Sequence, residues 1–267
     1  MKTLIDRLIA ISLVIGLMTS CQEDEPDVNQ YVIRAEVSNE RTTSAFKYNQ
    51  QGKITEWESL FNYTRYFYDN NGRLNRSESA LDSSVFSAVF IDRTTLMTAG
   101  NTIINRYQTF HYDADDRLVR VESYAEEDGS FVNRSVQTLE YEGAAISRRN
   151  ILNAEGEVAQ YRTYEYDNRG NVKRELYYSS ASSSEFVLAN EFTYEYDDKN
   201  NPFSVLRALG NPGLWTNPNN IVGRKTISYR IVPGTETSTE STTKYLYNPL
   251  NYPVKVISDD SEFAYRY

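Results

Sequence analysis

Residues 66–74 read YFYDNNGRL, and similar nine-residue stretches recur along the chain. Tyr66 and Tyr68, the first and third residues, are two apart and therefore point to the same face of a β-strand. The fourth residue of each copy is Asp or Asn, which favour the first position of a type I turn. The seventh is Gly, Asp or Asn, the residue types that enter the left-handed backbone region most readily. The stretch therefore predicts a hairpin corner, in which an aromatic strand runs into a tight turn and a second strand returns.

Six copies of this corner are clear in the sequence. They are FKYNQQGKI at 46–54, YFYDNNGRL at 66–74, FHYDADDRL at 110–118, YEYDNRGNV at 164–172, YEYDDKNNP at 194–202 and YLYNPLNYP at 245–253. The seventh residues, for which we predict a left-handed backbone, are Gly52, Gly72, Asp116, Gly170, Asn200 and Asn251. The ninth residue is apolar in the first four copies, whereas Pro202 and Pro253 occupy it in the last two. Proline donates no backbone hydrogen bond, so we expect those two return strands to start late or to lie at a sheet edge.

The spacing of the copies predicts the fold of residues 31–267. Neighbouring copies lie as close as about 20 residues apart, which suits two strands and two turns per repeat. No long segment has the 3.6-residue period of an amphipathic helix. We therefore predict one all-β domain of consecutive antiparallel hairpins, forming a curled or twisted meander sheet with little helix. The pattern does not decide whether the sheet closes or stays open.

The repeated corner resembles the YD repeat of RHS-type proteins, in which tyrosine-rich hairpins follow one another into a curling sheet. The stretches YDDKNNPF at 196–203, NPNNIV at 217–222 and YNPLNYPVKV at 247–256 are similar to segments of Bacteroides-group surface lipoproteins built from such hairpins. This resemblance implies a fold and no particular chemistry. RHS-type relatives use long arrays as closed shells around toxins, but this chain is too short to enclose another domain.

The first 20 residues have the features of a signal peptide. Lys2 and Arg7 precede an apolar or small stretch at residues 8–18, which is too short for a transmembrane helix. Two small residues then precede Cys21, the only cysteine, and this arrangement resembles a bacterial lipobox. The sequence therefore predicts cleavage before Cys21 and lipidation of its sulfur. An ordinary secretory peptide is the alternative.

Residues 21–30, CQEDEPDVNQ, predict an acidic and solvated tether that follows the lipidated cysteine. The segment resembles the acidic signal in surface-exposed lipoproteins of the Bacteroides group. We therefore expect an outer-membrane lipoprotein displayed at the cell surface, with a periplasm-facing orientation as the alternative. The membrane would be a partner through the lipid anchor. A single acyl chain binds a membrane only marginally, but the lipid on such a cysteine normally carries more than one chain.

Composition argues against several classes of function. The formal net charge is −9 and no long basic run occurs, which argues against nucleic acid as a partner. His111 is the only histidine and Cys21 is reserved for lipid, so metal sites of the His/Cys kind are excluded. No nucleophile elbow and no glycine-rich phosphate loop occurs, and we predict no catalytic residue and no cofactor. No motif indicates an oligomeric state.

Acidic residues leave one catalytic alternative open, because a glycoside hydrolase needs only two carboxylates at a suitable separation. The acidic residues near predicted turns include Asp115, Asp116, Asp197, Asp198, Asp259 and Asp260. Turn formation explains these residues without catalysis, so we expect that the protein is not an enzyme.

Aromatic residues are the most suggestive feature of the sequence for function, although the scaffold explains most of them. The chain has 22 tyrosines, most of them at corner positions when weaker echoes of the corner at 139–141, 227–229 and 263–265 are included. At these positions the ring covers neighbouring strands and the hydroxyl reaches water. Trp57 follows the first corner in strand register and is expected in the core. Trp215 lies in the Pro-, Asn- and Gly-rich segment 208–223 and is a candidate ligand contact or a loop anchor.

Our hypothesis from the sequence is an extracellular binding module for a glycan or a protein. The first alternative is a structural accessory subunit of a membrane assembly that has no ligand of its own. A carboxylate-based glycoside hydrolase is the less favoured alternative.

Overall fold

A computed structural model describes residues 32–82, 94–182, 185–213, 217–229, 234–258 and 261–267, which contain sixteen β-strands. The first eight are β1 (Ala35–Ser38), β2 (Arg41–Tyr48), β3 (Ile54–Ser59), β4 (Asn62–Tyr68), β5 (Leu74–Leu81), β6 (Arg106–Tyr112), β7 (Leu118–Glu127) and β8 (Ser130–Glu142). The others are β9 (Ala145–Leu152), β10 (Val158–Tyr166), β11 (Val172–Ser182), β12 (Glu185–Tyr196), β13 (Ile221–Ser228), β14 (Thr237–Tyr247), β15 (Pro253–Ser258) and β16 (Ser261–Arg266). A 3-10 helix spans Ser204–Leu209, and no described helix is long and apolar enough to cross a membrane.

The strands form one closed barrel. Each strand pairs antiparallel with the next along the chain, and β1 pairs with β16, with Ala35 opposite Arg266 and Val37 opposite Ala264. The predicted all-β fold of antiparallel hairpins with little helix is confirmed. The prediction of a curled or twisted meander sheet is wrong in one respect, because the sheet closes into a barrel. The barrel of described strands therefore has no terminal edge strand, because the first and last strands pair with each other.

The repeated corners have the predicted geometry at five of the six copies. Gly52, Gly72, Asp116, Gly170 and Asn251 have positive φ angles between 59° and 85°. The strand register shifts beside the aromatic residue at the third position of each of these corners, as between Phe67 and Tyr68 on β4. A type I turn with a left-handed residue and a bulge is the expected result of this sequence pattern.

The copy at 194–202 departs from the prediction. Asn200 is not among the residues with positive φ, and Pro202 is not the return residue. The turn closes instead between Asp197 and Asn220, because the Asn220 backbone N–H donates to Asp197 Oδ1 at 3.1 Å. Residues 198–219, which we call the insertion, therefore interrupt one corner, and Ile221 begins the return strand. Pro253 opens β15 at the strand's first residue, neither late nor at an edge.

The insertion enters the barrel and fills part of its lumen. A barrel of sixteen strands is wide enough to leave an aqueous channel. Here Phe203 and Leu206 of the insertion pack against apolar side chains from the strands, and Trp57 packs on this core as the sequence predicts. The buried members of the core are Ile33, Phe46, Ile54, Tyr66, Leu74, Phe110, Leu118, Val121, Leu139, Phe203 and Leu206.

The two faces of the barrel wall differ in chemistry. On β2 and β3 the cross-strand pair Phe46 and Trp57 points inward, and the rings stack at 5.8 Å. The adjacent pair, Lys47 and Glu56, lies on the outer face and forms an ion pair of 2.7 Å. Ion pairs continue around the outside of the barrel: Arg65–Glu78, Arg120–Glu122, Arg174–Glu191, Lys225–Glu240 and Lys255–Glu262.

Candidate ligand-binding site

A ring of tyrosines surrounds the end of the barrel where the repeated corners lie, which we call the corner end. In five of the six corners the tyrosine at the third position donates its hydroxyl to a backbone carbonyl earlier in the chain, as Tyr68 does to Ile54 at 2.8 Å, whereas Tyr247 donates to the Asp197 side chain. The same bond joins Tyr48 to Ile33, Tyr112 to Leu74, Tyr141 to Leu118, Tyr166 to Ile146, Tyr196 to Val172 and Tyr267 to Pro253. Burial raises the pKa of Tyr68 to about 12, so the hydroxyl remains a donor at neutral pH.

A cation lies over several of these tyrosine rings. Lys53 Nζ is 5.4 Å from the centre of the Tyr68 ring, and the Arg73 guanidinium is 5.1 Å from that of Tyr112. Arg117 lies over Tyr141 in the same way, at 5.2 Å. Each cation is the eighth residue of one corner and covers a tyrosine further along the chain, which lies in a later corner for Tyr68 and Tyr112 and near the end of β8 for Tyr141. The repeat therefore builds its own cation–π ladder around the corner end.

The acidic residues of the corners act in the turns. Asp69 Oδ1 accepts the backbone N–H groups of Asn71 at 2.9 Å and of Arg73 at 2.8 Å. The Arg73 backbone N–H, followed by its guanidinium, lowers the pKa of Asp69. The pKa of Asp113 is lowered in the same way, first by the backbone N–H of Arg117. These carboxylates are therefore ionised turn caps, as the sequence predicts.

The tyrosine ring and the insertion enclose a cavity of about 930 Å³ at the corner end, which we call the bowl. Its aromatic wall consists of Tyr68, Tyr112, Tyr141 and Tyr166. Between these rings lie apolar residues of the return strands: Ile54, Leu74, Leu118, Ile146 and Val172. The floor comes from the insertion, whose contributing residues are Arg207, Ala208, Gly210, Pro212 and Asn217.

Polar groups at the bowl provide both donors and acceptors. The Arg73 guanidinium lies 2.7 Å from an Asp116 carboxylate oxygen, and both residues line the bowl. Asp167 and Asn168 supply further oxygen and amide groups. Although partial burial opposes ionisation, hydrogen bonds from Asn171 keep the pKa of Asp167 below its ordinary value. An aromatic wall with a few convergent polar groups is typical of a small-molecule or sugar site.

The predicted site residues lie at several places. His111 is on the outer face of β6, where its Nε2 atom is 3.2 Å from Thr109 Oγ1, away from the bowl. Asp197 caps the interrupted corner and accepts the Tyr247 hydroxyl. Cys21, Trp215, Asp259 and Asp260 lie outside the described residues. In the part of the chain that the structure describes, no group of three or more His, Cys, Asp or Glu residues has the arrangement of a metal site.

Sequence reasoning missed three features of the site. The tyrosine-to-carbonyl bonds link successive hairpins, so a single corner gives no sign of them. The recurring Lys or Arg at the eighth position, seen in Lys53, Arg73 and Arg117, is the signal that could have indicated the cation ladder. The bowl itself depends on the insertion, which the corner pattern at 194–202 concealed.

No protein-family model and no curated protein matches the chain. Among solved structures it is similar to a porin-like protein from Bacteroides vulgatus, with 11% identity, a TM-score of 0.40, and 88% of this chain and 98% of that chain covered. A porin-like protein from Bacteroides uniformis gives 12% identity and a TM-score of 0.38, covering 79% of this chain and 91% of that one. The TcdB2-TccC3-Cdc42 structure gives 15% identity and a TM-score of 0.27, covering 83% of this chain and 13% of that one. At these values the similarities assign neither a family nor a function.

Proposed function

We propose that the protein is an extracellular binding module, anchored to the outer membrane by lipid on Cys21, and that the bowl holds a glycan. The bowl is the observation that carries this proposal. Its volume of about 930 Å³ lies within the range of ligand pockets. Tyrosine rings offer flat apolar faces to a sugar ring, while Asp167, Asn168 and the rim cations offer partners for hydroxyl groups.

Charges on the outer wall support attachment through lipid rather than through the strands. A barrel that crosses a bilayer presents an outward apolar band, and a Lys or Arg there costs about 2–4 kcal/mol at the midplane. Lys47, Arg65 and Arg174 instead lie on the outer face, in ion pairs with Glu56, Glu78 and Glu191 respectively. We therefore expect the barrel wall to lie in water.

Replacing Cys21 by serine tests the anchor. We expect the native protein to sediment with the outer membrane and the Cys21→Ser variant to appear in the soluble fraction, because the variant has no sulfur to acylate. Protease treatment of intact cells, with immunodetection of the barrel, distinguishes surface display from a periplasm-facing orientation. A variant that stays firmly membrane-bound would contradict attachment through this lipid.

Filling the bowl tests the binding function. Ala208 is exposed on the bowl floor, so Ala208→Trp occupies the cavity without removing a packed side chain. We first screen the purified protein on a glycan array and then titrate the best hit by calorimetry. We expect Ala208→Trp to weaken binding at least about tenfold, equivalent to about 1.4 kcal/mol.

The matched control is Ala154→Trp. Ala154 is exposed in the turn between β9 and β10 and does not line the bowl, so we expect native affinity. Equal affinity of both variants would place any glycan elsewhere. A folded protein that binds no glycan would favour the accessory role.

The alternatives have less support. A wide apolar docking patch would favour an accessory subunit. The exposed large apolar residues among those described are Phe67, Ile103, Phe131, Val132, Val187, Leu246 and Leu250, which are spread over different strands and connections. A carboxylate-based hydrolase would need two carboxylates facing one cavity. Burial raises the pKa of Glu36, but the separate cavity of about 280 Å³ that Glu36 lines contains no second described carboxylate.

A further inference from the structure

A cluster of arginines lies inside the barrel, away from the bowl. Arg149 on β9 and Arg162 on β10 are direct cross-strand partners. Both point inward, because Arg149 binds Asn211 of the insertion and Arg162 binds Glu175 inside the lumen. Arg224 on β13 belongs to the same cluster, which we call the lumenal arginine cluster.

Two of the three arginines share an aromatic side chain. The guanidinium groups of Arg162 and Arg224 lie 5.8 Å and 5.1 Å from the centre of the Phe192 ring. Glu175 accepts hydrogen bonds from Arg162 and, at 3.3 Å, from the Tyr194 hydroxyl. Within the described residues, Glu175 is thus the carboxylate that pairs with this cluster of three positive charges.

Several buried polar atoms of the cluster lack partners. Arg149 Nε, Arg224 Nε and the Tyr164 hydroxyl are buried without a hydrogen-bond partner among the described residues. The arginines of the outer wall differ, since Arg65, Arg120 and Arg174 each contact a carboxylate within 4.0 Å. Neither Arg149 nor Arg224 has such a contact within the described part of the chain.

Two physical costs follow from this arrangement. Like charges directly opposite each other across antiparallel strands destabilise the pair, as Arg149 and Arg162 would. The buried Nε atoms of Arg149 and Arg224 have lost their hydration without gaining an acceptor, although Arg149 binds Asn211 through another nitrogen. An anion with several oxygen atoms would relieve both costs, because guanidinium groups bind carboxylate and phosphate or sulfate oxygens in charge-assisted hydrogen bonds.

We propose that the lumenal arginine cluster is an anion-binding site for a carboxylate, sulfate or phosphate group, either free or carried on a larger polar ligand. Arg149, Arg224 and the Tyr164 hydroxyl would donate to its oxygen atoms. Two separate cavities adjoin parts of the cluster: Arg224 lines one of about 280 Å³, and Asn211, which Arg149 binds, lines another of about 120 Å³. Hydroxyl and amide side chains line the second cavity, among them Ser77, Ser79 and Gln108.

This site is separate from the bowl. Ala208, Gly210 and Pro212 of the insertion line the bowl, whereas Leu209 and Asn211 line the cavity of about 120 Å³. The anion site therefore does not rest on the proposed glycan function, and either proposal can fail alone.

Sulfate and acetate are suitable probes, because they separate tetrahedral from planar anions. Each is titrated into the purified protein by calorimetry at constant ionic strength, with chloride as the exchanged ion. We expect saturable binding of at least one probe. Loss of one charged hydrogen bond should weaken that binding about 10- to 100-fold in Arg149→Gln and in Arg224→Gln.

Arg65→Gln is the matched control, because Arg65 lies on the outer wall with Glu78, and we expect unchanged affinity. Arg149→Lys retains the charge and the fold and should give an intermediate loss, since an ammonium lacks the planar fork. Circular dichroism verifies that each variant is folded. The proposal is overturned if neither probe binds saturably, or if the Arg149→Gln/Arg224→Gln double variant binds as tightly as the native protein.

Discussion

Replacing Phe203 by alanine is expected to lower the free energy of unfolding by about 3–5 kcal/mol. Phe203 is only 8% exposed, although it belongs to an insertion rather than to a strand. Its ring packs edge-on against Phe46 at 6.0 Å and against Tyr265 at 5.6 Å. Phe203 therefore links the insertion to β2 and β16, beside the strand pair that closes the barrel. Removal of the ring leaves a cavity in the middle of the lumen, where strands held by closure have little freedom to collapse.

Urea unfolding measures this effect, and Phe67→Ala is the matched control. Phe67 lies on β4 and on the outer wall, is 39% exposed, and its ring centre is 5.4 Å from the Arg65 guanidinium. We expect its loss to cost about 1 kcal/mol or less. Equal losses for the two variants would show that the Phe203 ring does not pack against Phe46 and Tyr265 in the lumen.

The corners were readable from sequence because local chemistry decides them. An Asx residue that accepts two backbone N–H groups and a left-handed residue three positions later form a complete turn within nine residues. Asp69 and Gly72 need no distant partner for this geometry. The same local logic explains why Asp116 and Asn251 replace glycine without changing the corner.

The prediction for the copy at 194–202 was wrong because a residue distant in sequence completes its turn. Asp197 receives its second backbone N–H from Asn220, which is 23 residues away, in place of a residue four positions along the chain. Asn200 therefore carries no constraint to a left-handed backbone. A nine-residue pattern contains no information about a distant residue that completes its turn. The insertion and the bowl floor therefore could not be predicted from the sequence.

Closure of the sheet depends on strand number, twist and the pairing of the chain's two ends. Ala35 and Arg266 are partners, and nothing in the repeat marks them as such. The lumenal arginines were equally hidden, since alternation along β9, β10 and β13 gives the face of each residue only relative to its own strand. The resemblance to YD repeats and the lipid anchor at Cys21 remain predictions.

Replacing Gly210 by alanine is expected to lower the free energy of unfolding by about 2–4 kcal/mol, from left-handed strain of about 1 kcal/mol plus overpacking of about 1–3 kcal/mol. Gly210 ends the 3-10 helix of the insertion with φ at 68°. A methyl group there would lie 2.5 Å from Leu118 Cδ2 and 3.3 Å from Leu139 Cδ2. Both leucines are 6% exposed members of the core, so the added methyl group would displace packed side chains.

Gly156→Ala separates the two contributions, because Gly156 has a similar φ of 82° but no atom within 4 Å of the added methyl group. It should therefore show the backbone strain alone, about 1 kcal/mol in the same urea experiment. The excess loss in Gly210→Ala reports how closely the insertion approaches β7 and β8, and hence how firmly the bowl floor is held. If the two alanine variants unfold at the same urea concentration, the insertion does not press against Leu118 and Leu139, and a bowl with a fixed floor is wrong.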